Sequence, residues 1–232
     1  DADFETSDLI TVRRSSDDAT ASYTEAEIND GTLLTWVGTG GTDYGYVTTW
    51  YDQSGNASNC TMTTAANQPA IVSAGVLEVE GGEPAVYFDG TSDYLDFSTV
   101  TAKTVIGVTN METTSTALNH FVGNSGDDRG LRATDSTTLY KCPENSTSES
   151  TWDLPHDGAC FVNGSGTTPT AAGHHVVFAT SVAGMAVRSI SSYHASNRYW
   201  KGPVQEVIIY DTDETSNRSG IESNINAHYT LF

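Results

Sequence analysis

The stretch from Tyr46 to Ala70, YVTTWYDQSGNASNCTMTTAANQPA, constrains the fold most. It opens with aromatic and β-branched residues, which suit a pleated, half-buried strand. Tyr46, Thr48 and Trp50 fall on one face of that strand, and Val47, Thr49 and Tyr51 on the other. Asp52-Gln53-Ser54-Gly55-Asn56 then sets five turn formers in succession, and Pro69 marks where the chain extends again. A chain that reverses this abruptly buries its apolar side chains by pairing short strands into packed sheets.

The same rhythm recurs on both sides of this stretch. Leu9 to Arg14 alternates like a strand and meets a turn at Ser15-Ser16-Asp17-Asp18. Further strands are expected at Ala70 to Val72, Val76 to Val79 and Ala85 to Phe88, with Val86 and Phe88 sharing a face. Leu95 to Val100, Thr104 to Val108, His120 to Val122, Leu131 to Ala133, His174 to Ala179, Met185 to Val187 and Val204 to Tyr210 continue the series. Short strands separated by Gly, Asp and Asn turns at this spacing predict an all-β sandwich. Glu25 to Gly31 reads as a short helical turn stopped by glycine. Thr32 to Val37 is too short to assign to helix or strand. Near the C-terminus, Ser219 with Glu222 makes a capping-box pattern, and Ile221, Ile225 and Tyr229 share one helical face.

Thirty acidic against ten basic residues leave a formal charge of −20, which disfavours nucleic acid as a partner. The acids are scattered, as on a solvated surface. No run of about 18 apolar residues exists, so no membrane span is expected. No linker or internal repeat divides the chain, so residues 1–232 are read as one domain. The chain opens on Asp1 with no Met, as a processed product or a fragment would. Of three cysteines, Cys142 and Cys160 flank a polar loop. A disulfide there would contribute about 3 kcal/mol on the loop-entropy argument; three isolated thiols are the alternative.

VRRSSDDAT (Val12 to Thr20), VTTWYDQSGN, AANQPAIV and PAVYFDGTSDYL (Pro84 to Leu95) together resemble laminin-G-like modules of the concanavalin type. Such modules occur in marine phage virion proteins and secreted bacterial proteins. YDQSGN following RRSSDD also resembles the catalytic domain of family 54 arabinofuranosidases, which shares that fold. The resemblance implies a concanavalin-like jelly-roll β-sandwich with a short C-terminal helix. It also implies a place on a virion surface or outside the cell, with other surface proteins, glycans or a second copy of the chain as partners. Capsid decoration, tail fibre and bacterial adhesin modules are the kinds of part it suggests.

A glycosidase needs two carboxyl groups facing each other across the scissile bond. The family 54 pattern places a nucleophilic Glu in a Gly-His-Met-Glu context and an acid Asp in a Gly-Gly-Asp context before the closing strand. Here Met111-Glu112 matches the first only loosely. The segment Ser192 to Arg198, upstream of the closing strand, holds no Asp or Glu. Catalysis is therefore not expected, and Glu112 and Glu206 are the carboxylates to inspect if it occurs. Asp89 and Asp93, in DGTSD, and Asp127 and Asp128, in GDD, offer hard oxygens for Ca2+ of the kind laminin-G-like modules sometimes hold. Asp-Gly is nonetheless first of all a turn dipeptide. Trp152 and Trp200 lie in polar contexts that predict exposed loops. Trp152, and Trp200 with Tyr193, Asn197, Arg198 and Tyr199 around it, are the expected stacking residues for a sugar; a protein contact or loop packing is the alternative. His174 and His175, adjacent on a strand, must point to opposite faces.

Overall fold

The computed structural model describes residues 7–112, 119–124, 127–133, 160–164, 173–191 and 198–232. Strand β1, Ile10–Arg14, buries Ile10 and Val12 and turns Thr11 and Arg13 outward. It pairs with β2, Thr20–Tyr23, across a turn in which Asp18 takes φ 59°. The Asp17 carboxylate holds that turn by accepting from the Ala19 amide and from both Nε and Nη2 of Arg14. Helix α1, Glu25–Asn29, follows a full capping box: the Thr24 hydroxyl accepts from the Glu27 amide, and the Glu27 carboxylate accepts from the Thr24 amide. Thr24→Ala is expected to cost about 1 kcal/mol, read as a small fall in thermal midpoint with no change in fold. The undivided run Thr32–Val37 is helix α2. Gly31, at φ 85°, starts it, and Leu33 and Val37, four apart, are buried together.

Next come β3, Gly45–Trp50, β4, Cys60–Thr61, and β5, Ala70–Ser73. The short strands β6, Val76–Leu77, β7, Val79–Glu80, and β8, Glu83–Pro84, precede β9, Val86–Asp89. Strand β10, Leu95–Asn110, is continuous where the sequence suggested two strands. The same holds for β14, His174–Ile190. Bulges between Asp96 and Val100 and between Ala102 and Thr104 shift their pairing, and such bulges bend a long strand without ending it. Between them lie β11, Asn119–Asn124, β12, Asp127–Ala133, and β13, Cys160–Val162; β15, Lys201–Tyr210, follows.

Among the described residues the main sheet runs β12-β11-β14-β10-β15-β9-β5-β3-β1-β2 along its principal path, with antiparallel pairing throughout. The fold is all-β and jelly-roll-like, closed by one C-terminal helix. No helix among the described residues is long and apolar enough to cross a membrane.

Strand alternation feeds two cores. Val12, Val47, Val86, Phe88, Val105, Phe121, Val177 and Trp200 belong to the larger one. The intervening residues Ile106 and Val108 of β10 and Val176 and Phe178 of β14 face the other way, against Ile225. Ile225 lies on helix α3, Arg218–Tyr229. Ile221 and Tyr229 join it in that contact, as their spacing predicted. The capping box does not form. Asn217 precedes the helix without a side-chain cap, which places Ser219 inside the first turn. Glu222 turns inward instead, 3% exposed, and accepts from Arg218 Nη1 at 2.6 Å. An i, i+4 charged partner here takes the carboxylate that a capping box would need.

Cys160 is disulfide-bonded, while Cys60 is a free thiol. Cys142, the partner suggested by the sequence, lies outside the described residues. Burial pushes the Cys60 thiol up to about 12, so it packs as a small apolar group rather than reacting as a thiolate.

Candidate functional site

Hydrogen-bond register assembles one row of residues across the sheet, which faces outward from Thr20 to Tyr87 and ends at the buried Pro203. Thr20 on β2 pairs with Arg13 on β1, and Arg13 with Tyr46 on β3. Tyr46 pairs with Ala70 on β5, Ala70 with Tyr87 on β9, and Tyr87 with Pro203 on β15. The flanking residues Val12, Val47, Ile71, Val86 and Val204 are buried beneath this row. The apolar side of each strand thus faces the core and holds the polar-aromatic side outward.

Packing orients the aromatic members. The Tyr46 ring lies 6.0 Å from that of Tyr44, with the planes 8° apart. The Arg13 guanidinium sits 4.9 Å from the Tyr46 centroid. Arg13 itself is tied down: Nε donates to Gln68 Oε1 at 2.8 Å, and Nη1 to Asp18 Oδ1 at 2.7 Å. Gln68 is buried and donates in turn to the Met62 carbonyl. On the far side, the Tyr87 hydroxyl donates to Glu112 Oε2 at 2.9 Å, and Lys201 Nζ approaches the same oxygen at 3.0 Å. Burial, and then the hydrogen bond to Glu112, push the Tyr87 hydroxyl far above its ordinary value, so it stays a donor.

The expected calcium ligands are engaged by their own turn. Asp89 Oδ1 accepts from the amides of Thr91, Ser92 and Asp93, and Asp93 Oδ2 accepts from the amide of Asp89. Asp93 is 8% exposed, and burial, followed by the charge of Asp89, pushes its carboxyl up to about 7. Oxygens committed to amide donors fit a turn rather than a cation. Asp127 and Asp128 open β12 in another hairpin, and their side chains lie outside the described residues. Among the described residues no group of three or more His, Cys, Asp or Glu side chains could hold a metal.

The expected sugar site differs in a basic respect. Trp200 is 0% exposed and meets Phe121 edge-on at 5.2 Å, so it is a core residue and offers no stacking face. Its polar neighbours in sequence misled because alternation sends Tyr199 and Lys201 outward and Trp200 inward. Arg198 and Tyr199 are half-buried, and the Tyr199 ring lies 6.2 Å from that of Tyr94. Trp152, Tyr193 and Asn197 lie outside the described residues.

Glu112 and Glu206 are not brought together. Glu112 lies against Tyr87 and Lys201, whereas Glu206 pairs with Val108 and interacts with His228 and Tyr229 of α3. Burial pushes the Glu206 carboxyl up, with His228 opposing the shift. His174 and His175 do point apart: His174 Nε2 meets Gln205 Oε1 at 2.5 Å, and His175 Nδ1 meets Asn163 Nδ2 at 3.1 Å. Arg13, Tyr46 and Tyr87, the residues that form the row, had a signal in the sequence. Each alternates with buried valines, but nothing local said that their strands align.

No protein-family model and no curated protein matches the chain. Among solved structures, it is similar to a mutant family 54 α-L-arabinofuranosidase soaked with 4-nitrophenyl α-L-arabinofuranoside, with a TM-score of 0.44 and 14% identity. A family 54 enzyme soaked with a cyclic sulfate inhibitor gives a TM-score of 0.42 at 14% identity. Each likeness covers 96% of this chain and 59% of the enzyme's chain. The chain thus spans about 59% of the length of those enzymes. No residue role follows from a likeness of this size.

Proposed function

We propose that this chain is a non-catalytic module on a virion or cell surface, which binds carbohydrate through the face carrying Arg13, Tyr46 and Tyr87. The observation that carries the reading is the row itself, with two tyrosines and a fixed guanidinium on one side of a rigid sheet. Aromatic faces stack against the C–H surfaces of sugars while hydroxyls and guanidinium groups supply directed hydrogen bonds. The disulfide at Cys160 supports a location outside a reducing cytoplasm. The acidic balance of the chain suits a solvated exterior.

Retention on arabinose-, xylose- and galactose-containing polysaccharides, paired with a reducing-end assay on the same panel, tests it. Retention without sugar release is expected. Tyr46→Ala should weaken retention by about tenfold, the size of one lost stacking contact. Sugar release would make the chain a hydrolase and direct attention to Glu112. No retention on any polysaccharide would overturn the carbohydrate reading.

A further inference from the structure

The row also has a length and a direction. From Arg13 on β1 to Tyr87 on β9 its outward-facing part crosses three strand-to-strand steps, which at about 4.8 Å each is roughly 14 Å. Tyr46 and Tyr87 are two steps apart, about 10 Å, with the small side chain of Ala70 between them. One step of about 4.8 Å is close to the rise of one sugar unit in an extended chain.

We propose that this row seats an extended, uncharged glycan of about three sugar units, one per strand step, lying across the strands. The proposal rests on the carbohydrate-binding reading and adds the shape of the ligand to it. Direction follows from what each track meets. Across the strands a ligand passes over Tyr46, Ala70 and Tyr87, an apolar and aromatic floor. Along β9 it would pass from Tyr87 to Asp89, a carboxyl group that accepts from three amides of its own turn. A polar group stands at each end of the row: the Arg13 guanidinium on β1, and the Lys201–Glu112 pair beside β15. Charge follows from the chain as a whole. At −20 it repels acidic polymers, and Arg13 and Lys201 are already paired with Asp18 and Glu112. A flat, linear ligand with two hydrophobic faces and no charge meets all three conditions.

Calorimetric titration with β-1,4-linked xylo-oligosaccharides, from the single sugar to the hexamer, tests the proposal. Affinity should rise about tenfold or more from the single sugar to the trimer, as the second tyrosine is engaged, and then level off. Malto-oligosaccharides, which coil, should not show the rise. Amide NMR shifts provide a readout that needs no variant: Arg13, Tyr46, Ala70 and Tyr87 should move together on adding the trimer. Equal affinity for the single sugar and the trimer, or shifts confined to one strand, would overturn the proposal while leaving carbohydrate binding intact. If the polysaccharide panel shows no retention, the underlying reading fails first and the proposal with it.

Discussion

Gly107→Val is expected to destabilise the protein by about 3 kcal/mol or more, which is roughly 6–12 °C in thermal midpoint for a chain of this size. Gly107 lies in the middle of β10, and its backbone needs no unusual dihedral. It is required because Phe121 occupies the space above it. A Cβ built there would stand 2.2 Å from two ring carbons of Phe121. That ring cannot swing away freely, because it is fully buried and meets Trp200 edge-on. β10 in turn is held by β14 on one side and β15 on the other, so the backbone cannot retreat either. Phe121→Ala alone should cost about 3–5 kcal/mol through the cavity it leaves. The double variant should cost clearly less than the sum, because the valine fills the space the ring vacates. Thermal unfolding of all three variants gives the result. A Gly107→Val midpoint near that of the parent would mean that Phe121 does not pack over β10.

The second large effect depends on pH. The Asp93 carboxyl titrates at about 7 in the folded state against 3.8 for an ordinary aspartate. Burial dominates that rise, and the neighbouring Asp89 charge adds to it. A folded value above the unfolded one means that the native state holds the proton more tightly. The folded form is therefore favoured while Asp93 is protonated, and stability is lost as pH rises from about 4 to about 7. Above that range the native state carries a buried second negative charge beside Asp89. Asp93→Asn keeps the shape and removes the charge. It should stabilise the protein at pH 8 by on the order of 2–4 kcal/mol, and change little near pH 4. Midpoints measured across that range decide the matter. Parallel curves for parent and variant would show that Asp93 does not hold its proton in the fold.

Most strands were legible in the sequence because two-residue periodicity and turn chemistry are local. Ile10 and Val12 alternate with Thr11 and Arg13 whatever lies beside them, and Asp52 to Asn56 turns the chain by its own dihedral preferences. The face of α3 was legible for the same reason, at four-residue intervals. The errors have physical causes as well. β10 and β14 each read as two strands in the sequence because polar residues at Thr101 and Lys103, and at Thr180 and Ser181, interrupt the apolar run; bulges carry the strand across such points. The capping box at Ser219 matched a pattern of residue types, but Arg218 claimed Glu222 first. The polar neighbours of Trp200 point to the surface, although its own parity on the chain leads inward.

Local chemistry in the chain therefore determined an all-β fold of many short turns, an acidic exterior, and which residues of each strand face outward. It could not determine which strands become neighbours. Arg13 and Pro203 come from opposite ends of the chain, yet four ladders of hydrogen bonds set them in one row with Tyr46, Ala70 and Tyr87. A shift of one residue in any of those ladders would turn a tyrosine into the core and a valine out of it. Register is fixed by burying every strand's apolar face at once, and that condition exists only in the assembled sheet.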